Sequence, residues 1–128
     1  MAGRVVHFEV PIDDVERATA FYQDVFGWQI VSMPELDYHG VSTGPTGENG
    51  MPSEPGYIGG GMFTRTPNSP STPMITIDVD DIDATLEQIE ARGGATVEKK
   101  IPVGTMGFAA YFKDTEGNVM GLWQSAPS

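Results

Sequence analysis

The fold is decided by the stretch HFEVPIDDVERATAFYQDVFGW at residues 7–28, whose pattern returns in MITIDVDDIDATLEQIEARGG at residues 74–94. Each stretch opens with alternating apolar and polar residues, which is typical of a half-buried strand. Apolar residues at helical spacing follow, and they predict an amphipathic helix. After each helix come extended segments that are broken by glycine and proline. The sequence therefore predicts a strand, a helix and about three strands, in that order and twice over.

Aspartates and a glycine mark the ends of the predicted helices. Asp13 and Asp14 precede the first helix, and each offers a side chain that can cap its amino end. Asp81 and Asp83 offer the same choice at the second helix. Gly27 follows the first helix, at a position where a left-handed residue commonly ends a helix.

The length of the chain suits a single domain built from two modules that share a core. We expect one domain over residues 1–128, with a first βαβββ module at residues 1–63 and a second at residues 74–128. Residues 64–73, TRTPNSPSTP, contain three prolines and predict a stiff linker. Residues 44–56 are rich in glycine and proline, so we expect an irregular loop that either covers a binding site or is a flexible insertion.

Composition and charge exclude several classes of partner. Hydrophobic residues make up 39% of the 128 residues, which is enough for a globular core. The formal net charge of −11 would repel a nucleic acid or an anionic membrane surface, so we expect neither as a partner. The chain has no cysteine, which excludes thiol chemistry. It also has no apolar run of membrane-spanning length and no secretory leader pattern, and we expect a cytoplasmic protein.

The two predicted opening strands each have one apolar face and one mixed face. The apolar face, with Phe8 and Val10 in the first strand, is expected to pack on the helix that follows. His7 and Glu9 alternate with these residues and therefore lie on the mixed face. We expect the mixed faces to line a cavity and to bind a small molecule there. Besides His7 and Glu9, the candidate binding residues are Thr76, Asp78, Gly61, Phe63, Gly121 and Trp123.

Four segments together resemble the vicinal oxygen chelate superfamily, which contains glyoxalase I, bleomycin-resistance proteins, fosfomycin-resistance enzymes and extradiol dioxygenases. They are the two opening stretches, GYIGGGMF at residues 56–63 and DTEGNVMGLWQ at residues 114–124. The resemblance implies an α+β fold in which two βαβββ modules form curved mixed sheets around a cavity. It also implies a small-molecule ligand, a homodimer and, in many members, a divalent metal ion in the cavity.

The resemblance places the metal ligands of the family on the first and last strands of each module. Only His7 matches such a ligand, because the other three positions fall on Thr76, Gly61 and Gly121. Glycine has no side chain to offer, and a divalent ion needs several good protein ligands. We therefore expect the standard metal site to be absent. The sequence assigns no metal ligand set and no cofactor, and a divalent metal ion remains an alternative because His7 matches one of the four ligand positions.

Two functions from different classes fit these residues. The first is a binding protein that holds a small organic molecule, with cationic ligands favoured by the net charge of −11. The second is an enzyme, either a metal-dependent lyase or dioxygenase with non-standard ligands or a metal-free one in which His7 or Glu9 moves a proton. A structural or regulatory partner domain is a third alternative with no residue pattern in its favour. His39 lies in a predicted turn or edge and is expected to be exposed.

Overall fold

The computed structural model describes residues 3–127 of the chain. This part of the chain contains eight β-strands, two α-helices and one short 3-10 helix, Pro34–Leu36. In chain order the strands and α-helices are β1 (Val5–Ile12), α1 (Val15–Phe26), β2 (Gln29–Met33), β3 (Tyr38–Ser42), β4 (Gly59–Thr64), β5 (Met74–Asp78), α2 (Ile82–Ala91), β6 (Ala95–Val103), β7 (Gly107–Lys113) and β8 (Val119–Ser125). The predicted order of strand, helix and three strands is confirmed in both halves, and the fold class is α+β.

The chain forms two compact units. The N-terminal unit comprises His7–Pro73, and the C-terminal unit comprises residues 3–6 together with residues 74–127. The short N-terminal segment belongs with the second unit because it pairs with β5: the amide of Asp78 donates to the carbonyl of Arg4 at 2.8 Å.

The N-terminal unit is a four-stranded mixed sheet with α1 packed on it. Its strand order is β2-β3-β4-β1, with β1 and β4 parallel and the other pairs antiparallel. Trp28, just after α1, stacks on Tyr22 of the helix with ring centroids 4.6 Å apart. The buried core is Ile12, Val41 and Met62, and the residues packed against it are Phe8, Val10, Val15, Ala18, Tyr22, Trp28 and Ile30.

The C-terminal unit repeats this arrangement with α2. Its strand order is β5-β8-β7-β6, with β5 and β8 parallel and the other pairs antiparallel. Leu122 in β8 and Ile82 in α2 are almost fully buried, as Met62 is in the first unit. The core comprises Ile82, Leu86, Ala110, Phe112 and Leu122, with Ile77, Val79, Ile89, Phe108 and Met120 packed against it.

One aspartate caps each helix. The side chain of Asp14 accepts a hydrogen bond from the amide of Arg17 at 3.0 Å, and that of Asp81 accepts one from the amide of Ala84 at 3.1 Å. Gly27 ends α1 with a φ of 72°, in the left-handed region predicted for it. Within the described residues, neither helix has the length and the apolar character needed to cross a membrane.

The alternative caps, Asp13 and Asp83, form ion pairs instead. Asp13 pairs with Arg65 at 2.7 Å, and Asp83 pairs with Lys100 at 3.1 Å. Both aspartates are largely exposed, so these pairs contribute little to stability.

The loop at residues 44–56 has more local structure than the irregular loop expected from its composition. Thr46 and Pro52 form an isolated antiparallel bridge. The hydroxyl of Tyr57 donates to the carbonyl of Pro45 at 2.5 Å, and its ring packs over Gly44, where a Cβ atom would lie 2.7 Å from Cε2. A bulky ring at the base of the loop therefore supplies contacts that glycine and proline do not predict.

Candidate functional site

The first strands of the two units each present one polar face, as the alternation predicts. In β1 the apolar residues pack on the core of the N-terminal unit, and His7 and Glu9 lie on the other face. In β5 Ile77 packs on the core of the C-terminal unit, whereas Ile75 is 40% exposed. Thr76 and Asp78 lie on the other face.

The last strands place a glycine opposite a buried polar residue in each unit. The backbone register pairs Glu9 with Gly61 in the N-terminal unit and Thr76 with Gly121 in the C-terminal unit. This register confirms the expected equivalence of Gly61 and Gly121. Glu9 and Thr76 are each only 7% exposed. A Cβ atom at position 121 would lie 2.8 Å from Oγ1 of Thr76, so a side chain cannot be added there unless Thr76 moves.

The structure aligns the residues of β1 with those of β5 in a register that differs by two residues from the one expected from the sequence. Glu9 lies five positions before the N-cap of its helix, as Thr76 does in the other unit. Thr76 is therefore the counterpart of Glu9, and Met74 is the counterpart of His7. The expectation that Thr76 takes the place of His7 is wrong because it matched the carboxylates of Glu9 and Asp78, which lie at different distances from their helices.

The polar face of the N-terminal unit is organised around a hydrogen bond between His7 and Tyr38. Nε2 of His7 lies 2.7 Å from Oη of Tyr38, and the two rings are nearly parallel with centroids 6.3 Å apart. The end of the Tyr38 ring lies over Gly61, because a Cβ atom built there would overlap Oη, Cζ and Cε2 of the tyrosine. We call these three residues the His7–Tyr38–Gly61 group.

The protonation of His7 follows from its surroundings. Burial lowers its pKa below the ordinary value of 6.5, and the charge of Glu9 raises it in part. The imidazole is therefore neutral at neutral pH, with one nitrogen that donates and one that accepts. Nε2 can take either role toward the Tyr38 hydroxyl. A neutral imidazole beside a phenol is suited to hydrogen-bond a ligand or to hold a proton during a reaction.

Tyr38 is a candidate site residue that the sequence does not predict. It lies in β3, in the segment DYHG that was expected to be a turn or an edge. The signal that could have found it is the run of three glycines, residues 59–61, in β4, since glycine leaves room for a large side chain from a neighbouring strand. His39, the next residue, is half-buried rather than exposed, and its Nδ1 lies 3.0 Å from Oγ of Ser32.

The remaining predicted residues lie on the expected faces of their strands. Phe63 is half-buried, two residues beyond Gly61 on the same face of β4. In the C-terminal unit Asp78 pairs with Trp123, whose ring covers Gly107: a Cβ atom there would lie 2.7 Å from Cζ2. One unit thus holds His7, Glu9, Gly61 and Phe63, and the other holds Thr76, Asp78, Gly121 and Trp123.

The residues present do not fit a divalent metal ion. Among residues 3–127, no three side chains of His, Cys, Asp or Glu form a group that could hold one. Gly61 and Gly121 offer no side chain, and Nε2 of His7 is already hydrogen-bonded to Tyr38. Met74, the counterpart of His7, offers a thioether, which suits soft ions such as Cu(I) and not Mg²⁺ or Mn²⁺.

Comparison with known sequences identifies relatives along nearly the whole chain. A family model described as bleomycin resistance protein-like N-terminal matches residues 4–44. A glyoxylase-like domain-containing protein of Didymella fabae is 32% identical over 124 residues, which are 94% of this chain and 92% of that protein. A lactoylglutathione lyase of Haemophilus influenzae is 30% identical over 119 residues, which are 89% of this chain and 87% of that protein.

Solved structures with the same fold include methylmalonyl-CoA epimerases. The enzyme from Mycobacterium tuberculosis matches with a TM-score of 0.63 at 17% identity, over 98% of this chain and 89% of that one. A variant of the Streptomyces coelicolor enzyme, in complex with 2-nitronate-propionyl-CoA, matches with a TM-score of 0.64 at 16% identity, over 99% and 100% of the two chains. At these identities the likeness shows the fold alone.

The repeated βαβββ order and these relatives define a glyoxalase-like protein. The chain belongs to the vicinal oxygen chelate superfamily.

Proposed function

We propose that this chain binds a small organic molecule without a metal ion, on the polar faces of its two parallel strand pairs. The observation that carries the proposal is the hydrogen bond of His7 to Tyr38 over Gly61, which places a phenol where the family resemblance expects a metal ligand. The proposed binding residues are His7, Glu9, Gly61 and Phe63 on β1 and β4, and Thr76, Asp78, Gly121 and Trp123 on β5 and β8.

The chemistry of these faces favours a particular kind of ligand. Phe63 and Trp123 supply aromatic surface against which an apolar ligand body can pack. Hydrogen-bonding groups that can orient a ligand are His7 and Tyr38 in one unit and Thr76 in the other. The net charge of −11 attracts cations at long range, so we expect an aromatic or apolar molecule that carries a positive charge.

Relatives support a small-molecule ligand. One relative in sequence is named a lactoylglutathione lyase, and a structural neighbour holds 2-nitronate-propionyl-CoA. Both names describe proteins that act on or hold small molecules.

Catalysis is the second candidate function, and the protonation of His7 favours it. A half-buried imidazole with a lowered pKa is neutral and able to accept a proton from a bound molecule. Glu9, which influences that pKa, is the second candidate for moving a proton. A metal-dependent lyase or dioxygenase would instead need an ion at His7, with ligands other than Gly61 and Gly121.

A thermal-shift screen with cationic and aromatic compounds tests the proposal. A ligand stabilises the folded chain by mass action, so it raises the melting temperature of the wild type. His7→Gln should remove most of that shift, whereas His39→Gln, at the β2–β3 edge, should retain it. A ligand recovered unchanged indicates sequestration, and a consumed ligand indicates catalysis. A shift that both variants retain in full would contradict binding at His7.

We also propose a homodimer and a cytoplasmic location. The support for the dimer is the resemblance to a superfamily whose modules commonly pair across chains. Sedimentation of the purified protein measures the mass, and fractionation of the producing cells locates the chain. A monomer at all concentrations, or recovery outside the cytoplasm, would contradict these proposals.

A further inference from the structure

Gly61 is crowded in a way that the loss of a metal ligand does not explain. If the residue had merely lost its side chain, the space above it would be open to solvent or to a ligand. Instead, three atoms of Tyr38, namely Oη, Cζ and Cε2, occupy the volume that a Cβ atom would take. Substitution of Gly61 by any residue with a side chain would therefore force the tyrosine ring away.

The neighbouring strand is adapted to the same ring position. Gly40 pairs with Gly61 across β3 and β4, so two glycines lie side by side near the tyrosine. The side chain of Met33 lies over Gly40, with Cε 3.0 Å from the place of a Cβ atom. Large side chains from β2 and β3 thus cover a strip of glycine backbone.

The hydroxyl of Tyr38 is also directed at a nitrogen atom of His7, the residue that matches a metal ligand of the family. Nε2 of His7 is 2.7 Å from Oη, which is hydrogen-bonding distance. An ion approaching Nε2 from this side would have to displace the phenol. It would also break a hydrogen bond in a half-buried place, where water does not fully replace the lost partner.

From this geometry we infer that Tyr38 replaces the side chain absent at position 61, closes the His7 face to divalent metal ions and presents its hydroxyl to the ligand instead. The inference rests on the proposed function, since it names the group that serves the ligand in the absence of a metal. Position 61 must then be glycine, because any side chain there would overlap the ring of Tyr38. The glycine at position 61 and the tyrosine over it are thus parts of one structural feature.

A double-mutant cycle tests the link between the two positions. Gly61→Ala should lower the melting temperature by about 4–12 °C, because it overpacks the tyrosine. The same substitution in a Tyr38→Ala background should cost less than about a third of that shift, because the overlapping atoms are gone. Gly59→Ala is the matched control: its Cβ atom would meet only the carbonyl of Val41, so its cost should not depend on Tyr38.

Ni²⁺ serves as the probe for the second arm, with the NMR signals of the His7 imidazole as the readout. In the wild type, Ni²⁺ should leave these signals unchanged at concentrations that broaden them in Tyr38→Ala. His39 reports general surface binding in both proteins. Tyr38→Leu replaces Tyr38→Ala if the latter does not fold, since leucine also lacks the Oη and Cζ atoms that crowd position 61.

Two results would overturn the inference. One is an equal cost of Gly61→Ala with and without the tyrosine. The other is that Ni²⁺ affects the NMR signals of His7 equally in the wild type and in the Tyr38 variant, either by broadening both or by leaving both unchanged. Neither arm uses an organic ligand, so failure here is distinguishable from failure of the compound screen.

Discussion

Tyr38→Phe removes one oxygen atom and leaves the ring over Gly61, so it isolates the energetic role of the His7–Tyr38 hydrogen bond. The distance of 2.7 Å between Nε2 and Oη is typical of a well-formed hydrogen bond, and both residues are half-buried. Its loss leaves a ring nitrogen of His7 without its partner, and such a group costs about 1–3 kcal/mol when fully buried. Because both residues keep some access to water, we expect the lower part of this range, about 1–2 kcal/mol.

Urea denaturation of the wild type and Tyr38→Phe measures this difference, and the same variant should melt about 4–8 °C lower. Tyr57→Phe is the matched control. Its hydroxyl donates to the carbonyl of Pro45 on an exposed loop, where water can replace it, and we expect a cost of about 0.5 kcal/mol or less. Equal free energies of unfolding for the wild type and Tyr38→Phe would refute the energetic role assigned to the hydrogen bond.

Three further predictions concern pH, a helix cap and the core. Burial lowers the pKa of His7 in the folded state below 6.5, so the unfolded chain binds the proton more readily. The free energy of unfolding should therefore be highest above pH 6.5 and should decrease as the pH falls from 6.5 toward the lower folded-state pKa. His7→Gln should flatten this part of a plot of unfolding free energy against pH. An unchanged slope would contradict the assignment. Asp14→Ala should cost about 1 kcal/mol in chemical denaturation through the loss of the α1 cap, whereas Asp13→Ala should cost about 0.5 kcal/mol or less; a reversed order would show that the cap is wrong. Met62→Ala should cost about 2–5 kcal/mol because this core side chain is 0% exposed, and a loss below about 1 kcal/mol would contradict its place in the core.

Local patterns account for the parts of the fold that the sequence predicts. The alternation around His7 and the helical spacing after Asp14 depend on neighbouring residues, so they can be recognised without knowledge of the fold. The same holds for Asp81 as a cap and for Gly27 as a helix end. The repetition of these patterns was enough to predict two βαβββ units.

The site was harder to predict because it depends on contacts between strands. Tyr38 and His7 are 31 positions apart, and they meet only through the pairing of β3, β4 and β1. No local period encodes that register. A shift of two residues keeps every side chain on the same face, which is why the mistaken match of His7 with Thr76 preserved the alternation while it misplaced the equivalence with Met74.

Metal analysis of the native protein tests the central claim that the polar face around His7 binds no divalent metal ion. The purified chain can be loaded with Ni²⁺, Zn²⁺, Mn²⁺ or Fe²⁺, desalted and analysed for bound metal beside His7→Ala. We expect no stoichiometric metal that depends on His7, because Tyr38 holds its Nε2 atom and glycines stand at positions 61 and 121. One ion per chain in the wild type that disappears in His7→Ala would show that the site is a metal centre after all.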